Sequence, residues 1–302
     1  MHNLSTSPRL TAHDFDQELL ILFDAYVHGG IDRRGFLDRA QKFAVGGLTA
    51  AGLLASLSPN FAAAQVVAKD DKRLKTETIK VASPKGNGTI NVLVAKPAEA
   101  KAKLPGILVV HENRGLNPHI EDIARRIALD GYLVFAPDAL TPLGGYPGDE
   151  DKARENFAKL DQSKTRPDFL ACAAALKMHP ECSGKIGTTG FCYGGGIAHF
   201  LATQLPDLAA AVPFYGNHPP AEDAVKVKAP LQIHFAGIDD RINNAWPAYE
   251  AALKAAGVRH TVHIYAGTQH GFNNDTTPRF DAAAAKLAWE RTMAFFNQNL
   301  KA

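Results

Sequence analysis

The sequence predicts an α/β domain with a mostly parallel central sheet, helices on both faces and an antiparallel hairpin at its N-terminal edge, preceded by a separate extension. Three observations carry this. Short β-rich runs alternate with helical patterns from residue 77 to the C-terminus, a Gly-x-Cys-x-Gly turn joins one such run to a helix, and the chemically reactive residues fall just past the runs. Ligand groups belong at those carboxyl ends in a parallel sheet.

The chain of 302 residues is 46% hydrophobic and 21% charged, enough for one sizeable α/β domain plus an extension. Its 33 basic and 31 acidic residues are interspersed, and the net charge is +2. Without a basic block or an aromatic-basic stripe, nucleic acid is not an expected partner. Cys172, Cys182 and Cys192 are too few for a disulfide framework and contain no Cys-x-x-Cys pair. An oxidising compartment could join Cys172 to Cys182 and leave Cys192 free; two unpaired, half-buried thiols are the alternative.

Residues 1–68 read differently from the rest. Asp32-Arg33-Arg34-Gly35-Phe36-Leu37 resembles a twin-arginine export signal, a Gly/Ala-rich apolar run spans 43–57, and Phe61-Ala62-Ala63-Ala64 offers a small-residue cleavage site after Ala64. The run is too short and glycine-rich for a stable membrane span. Export predicts a periplasmic protein whose catalytic domain covers 69–302. The rival reading rests on Leu19, Leu20, Leu22, Phe23 and Tyr26, which have the spacing of an amphipathic helix: a retained helical arm packed on the domain or on a partner chain, in a cytoplasmic protein.

In the domain, two β-rich runs at 77–81 and 89–96 flank a turn whose Asn87-Gly88 pair signals a hairpin. The continuous apolar run 106–110 is expected to be a strand buried on both faces. It delivers His111-Glu112-Asn113-Arg114-Gly115. Asn117 as N-cap, Pro118 at the first helical position and Gly131 past the end bracket a helix whose inner face is Ile120, Ile123, Ala124, Ile127 and Ala128. Further strands are expected at 132–136, 186–189, 209–215, 231–236 and 260–265. Helices are expected at 150–160, 167–178, 246–256 and 281–300, the last with Leu287, Ala288, Ala294 and Phe295 turned inward.

Gly190-Phe-Cys-Tyr-Gly-Gly195 has the form of a nucleophile elbow. A turn this sharp forces strained dihedrals on Cys192 and leaves no room for side chains at Gly190 and Gly194. It also sets the Tyr193 N–H at a helix N-terminus, where partial positive charge favours a thiolate and a developing oxyanion. Asp239 follows one strand and His270 the next, so the order is nucleophile, acid, histidine. His270 is expected to hold Cys192 as thiolate and later protonate the leaving group, while Asp239, preferred over Asp240, fixes the imidazole tautomer. A carboxylate at Glu112 can accept the thiol proton, its alternative being an ion pair with Arg114. The other histidines, among them His111, His119, His199, His218 and His234, lack ligand spacing and are expected to be hydrogen-bonded structural residues. No metal and no cofactor is expected.

On the elbow, Asp239, His270-Gly-Phe272 and Glu112, the chain from about 77 to 300 resembles the dienelactone hydrolase (carboxymethylenebutenolidase) family of α/β-hydrolases. The resemblance implies a hydrolase cleaving a small-molecule ester or lactone through an acyl-enzyme. In it Glu112 takes up the cysteine's proton when substrate binds, and Asn113 gives a second oxyanion-hole N–H beside Tyr193. Arginines that bind a substrate carboxylate in the family correspond to Arg154 and to no residue at the second position, which is Asn274; Arg114 and Arg241 are possible substitutes. A non-catalytic or thiol-redox-sensing protein on the same fold is the alternative function, and a cysteine peptidase a weaker one. If the leader is removed after Ala64, exported protein begins at Gln65; intact-mass analysis checks this, and a chain starting at Met1 contradicts it.

Overall fold

In the computed structural model of the chain, residues 9–301 are described. Eight strands, β1 (Leu74–Ser83), β2 (Gly88–Pro97), β3 (Leu104–Val110), β4 (Leu133–Pro137), β5 (Cys182–Phe191), β6 (Ala210–Phe214), β7 (Leu231–Ile238) and β8 (His260–Gln269), form one sheet. Their order is β1-β2-β4-β3-β5-β6-β7-β8. The first two pairings are antiparallel and all later ones parallel. Every expected strand is present, and the hairpin sits at the sheet's edge. Its turn is held by Asp168, whose carboxylate accepts from the Asn87 backbone N–H at 2.9 Å and from its side-chain amide at 2.6 Å.

Two apolar layers sandwich the sheet. On one face α7 (Gln162–Met178), α8 (Tyr193–Gln204) and α10 (Trp246–Ala255) contribute Phe169, Leu176, Ile197, Leu201 and Leu253. On the other α5 (Pro118–Leu129) and α11 (Ala282–Phe296) contribute Ile120, Ile123, Ile127, Ala288 and Phe296. The continuous apolar run of β3 is buried from Pro105 to Val110, because helices cover both of its faces.

Several local expectations are corrected. The helix expected from Pro167 begins five residues earlier, because Asp161 caps it by accepting the Ser163 N–H at 2.9 Å, and Pro167 lies inside it. In α11 the inward residues include Ala284, Ala288, Met293 and Phe296, whereas Leu287 is 41% exposed and Ala294 exposed. The Asp281 N-cap starts the helix; Ala288 faces inward as expected and Phe295 packs partly buried on the core, so only Leu287 and Ala294 leave the expected stripe. A short α9 (Asp240–Asn243) follows β7. Cys172 and Cys182 are both free and buried.

Residues ahead of β1 fold as a helical arm: α1 (Gln17–Val27), α2 (Arg33–Ala40), α3 (Ala50–Leu57) and α4 (Phe61–Ala64). Leu19, Leu20, Phe23 and Tyr26 on α1 pack with Phe36, Leu53, Leu54 and Leu57 in a core of their own. The amphipathic spacing in the sequence thus has a partner surface, supplied by α2 and α3. The arm docks on the domain through polar contacts. Tyr26 and Arg33 both bond Asp151, the Asn60 N–H donates to Thr276 O at 2.8 Å, and Arg126 donates to Ala64 O at 3.2 Å. Among the described residues no helix is long and apolar enough to cross a membrane.

The sheet and α8 meet at the Cys192 turn with no spare volume. A Cβ at Gly190 would stand 2.2 Å from Gly194 O, and one at Gly194 would stand 2.2 Å from Val110 O and 2.7 Å from His111 O. These are backbone atoms and cannot swing aside. We therefore predict that Gly194→Ala lowers the unfolding free energy by about 3 kcal/mol or prevents folding. Urea denaturation checks it; an unchanged midpoint would contradict the packing described.

Candidate active site

Cys192 is the last residue before α8 and carries a positive φ of 54°, one of two such non-glycine residues among those described. The strain fits the expectation for a nucleophile elbow. Its N–H donates to Phe214 O at 3.1 Å and its own carbonyl accepts from Gly196 N at 3.2 Å, so neighbouring strand and helix both hold the turn. The other is Tyr215 (φ 35°), just past β6, whose ring lies 4.9 Å from that of His270.

The ends of β7 and β8 bring up the two other expected residues. His270 Nδ1 lies 2.6 Å from Asp239 Oδ2, both side chains buried. Its Nε2 is also buried and has no hydrogen-bond partner, leaving that nitrogen free toward the Cys192 side of the ring. Asp240 next door is exposed and begins α9. Sγ of Cys192 and ring nitrogens of His270 and His28 all lie within 4.8 Å of one another.

His28 was not expected here. It ends α1, more than 160 positions before the cysteine in sequence, and its Nε2 is 3.3 Å from Cys192 Sγ. Its Nδ1 faces Asp24, with the carbonyl at 2.8 Å and the carboxylate at 3.2 Å. The two imidazoles stand edge to face, 4.8 Å between ring centroids. Arg241 Nη2 lies 3.3 Å from a nitrogen of each. This corrects the expectation that no histidine has ligand geometry: among the described residues Cys192, His28 and His270 are the one group spaced to hold a metal ion. No motif announces His28; only the amphipathic helix ahead of it marks a surface that has to pack.

Electrostatics follow from this crowding. Burial alone pushes the Cys192 thiol up, but the charges of His270 and His28 outweigh it and bring the group down to about 5. His28 loses from burial but gains more from the thiolate and from Asp24, and is held up at about 10. His270 is likewise raised, the thiolate and Asp239 overcoming its burial. His199, expected to be hydrogen-bonded, is buried on α8 with neither ring nitrogen bonded, and burial drives it down to about 3. It packs edge-on against Tyr249 instead. His119 likewise has neither ring nitrogen hydrogen-bonded, though Nδ1 lies 3.1 Å from an Asp275 carboxylate oxygen, whereas His111 bonds Glu112 O, His218 bonds Pro219 O and His234 bonds Tyr265.

The loop after β3 supplies Glu112, Asn113 and Arg114. Glu112 Oε2 accepts from Asn274 Nδ2 at 2.9 Å, so the position that departs from the family pattern holds the glutamate. Arg114 is not its ion-pair partner by contact: it donates to Asn113 Oδ1 at 2.7 Å and its Nε stands 3.6 Å from Glu150. The Asn113 amide donates to Val27 O at 2.9 Å, another contact with the arm. Arg154 lies beneath the arm, its guanidinium 4.5 Å from the centre of the Tyr26 ring. Arg279, which the sequence reading did not single out, donates to Asp24 at 3.1 Å.

Three cavities surround the cluster. One of about 290 Å³ opens onto Cys192 and is lined by Tyr193, Ile197, Phe200, His218 and Arg166. A second, about 230 Å³, adjoins Asp239 and His270 and is walled by α1. A third, only about 50 Å³, lies between the arm and Glu112, Asn113 and Arg114.

A strained cysteine at a strand-to-helix turn, followed in chain order by an aspartate and a histidine at successive strand ends, defines an α/β-hydrolase. The model of the dienelactone hydrolase family matches residues 90–300, and the chain belongs to that family. A second model, described as YqhI-like, matches residues 7–45. A protein of Escherichia coli K12 named "Putative hydrolase fragment YghX" is 47% identical over 114 residues, 38% of this chain and 97% of its own length. The "Putative carboxymethylenebutenolidase" of Escherichia coli O157:H7 is 32% identical over 219 residues, covering 68% of this chain and 80% of the relative. The crystal structure titled as that of a "Putative Dienelactone Hydrolase" from Klebsiella pneumoniae superposes with a TM-score of 0.65 at 26% identity, over 74% of this chain and 99% of that one. The protein is therefore a dienelactone-hydrolase-like hydrolase.

A thiol held at about 5 is ionised across the neutral range. Alkylation of Cys192 by iodoacetamide is accordingly expected to be fast and nearly flat from pH 6 to 9, falling as pH drops through 5. Mass spectrometry of the modified peptide measures it; a midpoint near that of an ordinary thiol, about 8.5, would contradict the electrostatic reading.

Proposed function

We propose that the chain hydrolyses a carboxylic ester or lactone by a two-step route through a thioester on Cys192. The observation that carries this reading is the juxtaposition of a strained, half-buried thiol with a His270–Asp239 pair 2.6 Å apart. Thiolate adds to the substrate carbonyl, the alcohol portion leaves with a proton from an imidazolium of the cluster, and His270 Nε2 takes a proton from the water that attacks the thioester, whose Sγ–C bond breaks to release acid and restore the thiolate. Asp239 keeps the proton of His270 on Nδ1, which leaves Nε2 as the base. The backbone N–H groups of Tyr193 and Asn113 are the proposed donors to the oxyanion.

The substrate is proposed to be small and uncharged at the acyl end. Cavity volume supports the size, since about 290 Å³ beside Cys192 lies at the low end for ligand pockets. The arginines support the charge. Arg114 is engaged by Asn113 and the arm, and Arg154 by Tyr26, so neither is presented to a carboxylate at the thiol. A low thiol pKa also favours the second reading, a redox-sensing thiol on a hydrolase fold.

Assay of short-chain aryl esters, neutral lactones and dienelactone decides between them. Turnover is expected on neutral substrates, lost on Cys192→Ala and reduced about 10³–10⁴-fold on Asp239→Asn through the wrong imidazole tautomer. Normal turnover by Cys192→Ala would sink the mechanism. Stoichiometric peroxide oxidation of Cys192 with no turnover on any ester would establish the sensor instead.

A further inference from the structure

We propose that His28, carried by the N-terminal arm, is a further catalytic residue of this site: the acid that protonates the departing alcohol, leaving His270 to act as base toward water. The inference rests on the thiol-hydrolase reading above and on the retained-arm reading of residues 1–68, and divides the proton transfers between two histidines.

The geometry supplies each part. His28 Nε2 is 3.3 Å from Sγ, the atom that bonds the substrate carbonyl carbon, so it stands beside any tetrahedral centre formed there. Its Nδ1 is committed to the carbonyl and carboxylate of Asp24, the same carboxylate-to-imidazole arrangement that Asp239 makes with His270. Two imidazoles oriented by separate carboxylates meet edge to face over one sulfur. The arrangement is not a chance surface contact. Docking of α1 is fixed nearby by Val27 O with Asn113, by Asp24 with Arg279 and by Tyr26 with Asp151.

The steps balance as follows. At rest the thiol proton resides on His28, giving thiolate and imidazolium, with His270 neutral. The Sγ–C bond forms, the carbonyl–oxygen bond breaks, and the leaving oxygen takes the His28 proton as it departs. His270 Nε2 then removes a proton from water, hydroxide adds to the thioester, and the Sγ–C bond breaks to release acid and regenerate thiolate. His270 passes its proton to the adjacent His28, restoring the starting state. The groups facing His28 are Asp24 from its own helix, Cys192 and His270 from the domain, and Arg241 from α9. These partners define which histidine holds the proton.

An acid for the leaving group matters only when the leaving oxygen is basic. His28→Gln is expected to lose at least about 100-fold in kcat on an ethyl ester. On the p-nitrophenyl ester of the same acyl group, whose phenolate needs no proton to depart, the loss is expected to stay within about fivefold. Tryptic protection of the Arg33-Arg34 bond reports whether the arm stays docked in the variant. Equal losses on both esters with the arm docked would overturn the acid role, as would ethyl-ester turnover that matches wild type. Should docking fail, Asp24→Asn, which retains His28 but removes its carboxylate partner, must show the same leaving-group selectivity or the proposal is wrong. Failure of the underlying hydrolase reading is seen separately, as Cys192→Ala retaining turnover on either ester.

Discussion

Gly190, Gly194 and the end of β3 lie within contact distance of one another through backbone atoms alone, and the location of Cys192 follows from that approach. Hydrogen bonds from the turn to β6 and into α8 fix the cysteine from both sides, at a φ that L-residues rarely adopt. Because β5 is central in the sheet, with β3 on one side and β6 on the other, the thiol emerges where three strand ends converge. Asp239 and His270 arrive by the same rule, one from each of the next two strands. The chemistry is thus placed by sheet order, and the loops need only be short.

Charge then organises what geometry has gathered. A buried thiol would ordinarily stay protonated, yet two imidazoles, each stabilised by its own aspartate, supply enough positive potential to reverse that. The cluster is compact, with one thiol, two carboxylates, two imidazoles and a guanidinium in a single connected set of contacts. Such a network titrates as a unit, so removing one member changes the proton affinity of the others.

Most of the sheet was legible in the sequence because its strands are buried on both faces and read as uninterrupted apolar runs between turn residues. The elbow was legible because its glycines have a steric reason to be there. Asp239 and His270 were legible through chain order and strand exits. What the sequence hid depended on three-dimensional packing. Leu287 and Ala294 in α11 face outward although Ala288 faces inward, since an alanine-rich helix has apolar residues on more than one side. His199 lacks the hydrogen bond expected of a buried histidine because its surroundings are aromatic. His28 was invisible for a different reason: it belongs to a segment whose residues also resemble an export signal, and nothing local distinguishes a helix that docks on a catalytic cleft from one that does not.

The arm has an apolar core of its own, and the polar contacts that hold it to the domain include Tyr26 and Arg33 on Asp151. A unit of that kind can undock with its internal packing intact, as a cooperative body distinct from the sheet. Docking and undocking then form an equilibrium, and linkage makes it reciprocal. Whatever molecule grips the arginine pair must compete with Asp151 for Arg33. A ligand in the cleft that favours the docked arm must weaken that grip by the same factor. The exposure of Arg33 and the occupancy of the cleft are therefore linked through one docked arm, which also carries His28 to the thiol.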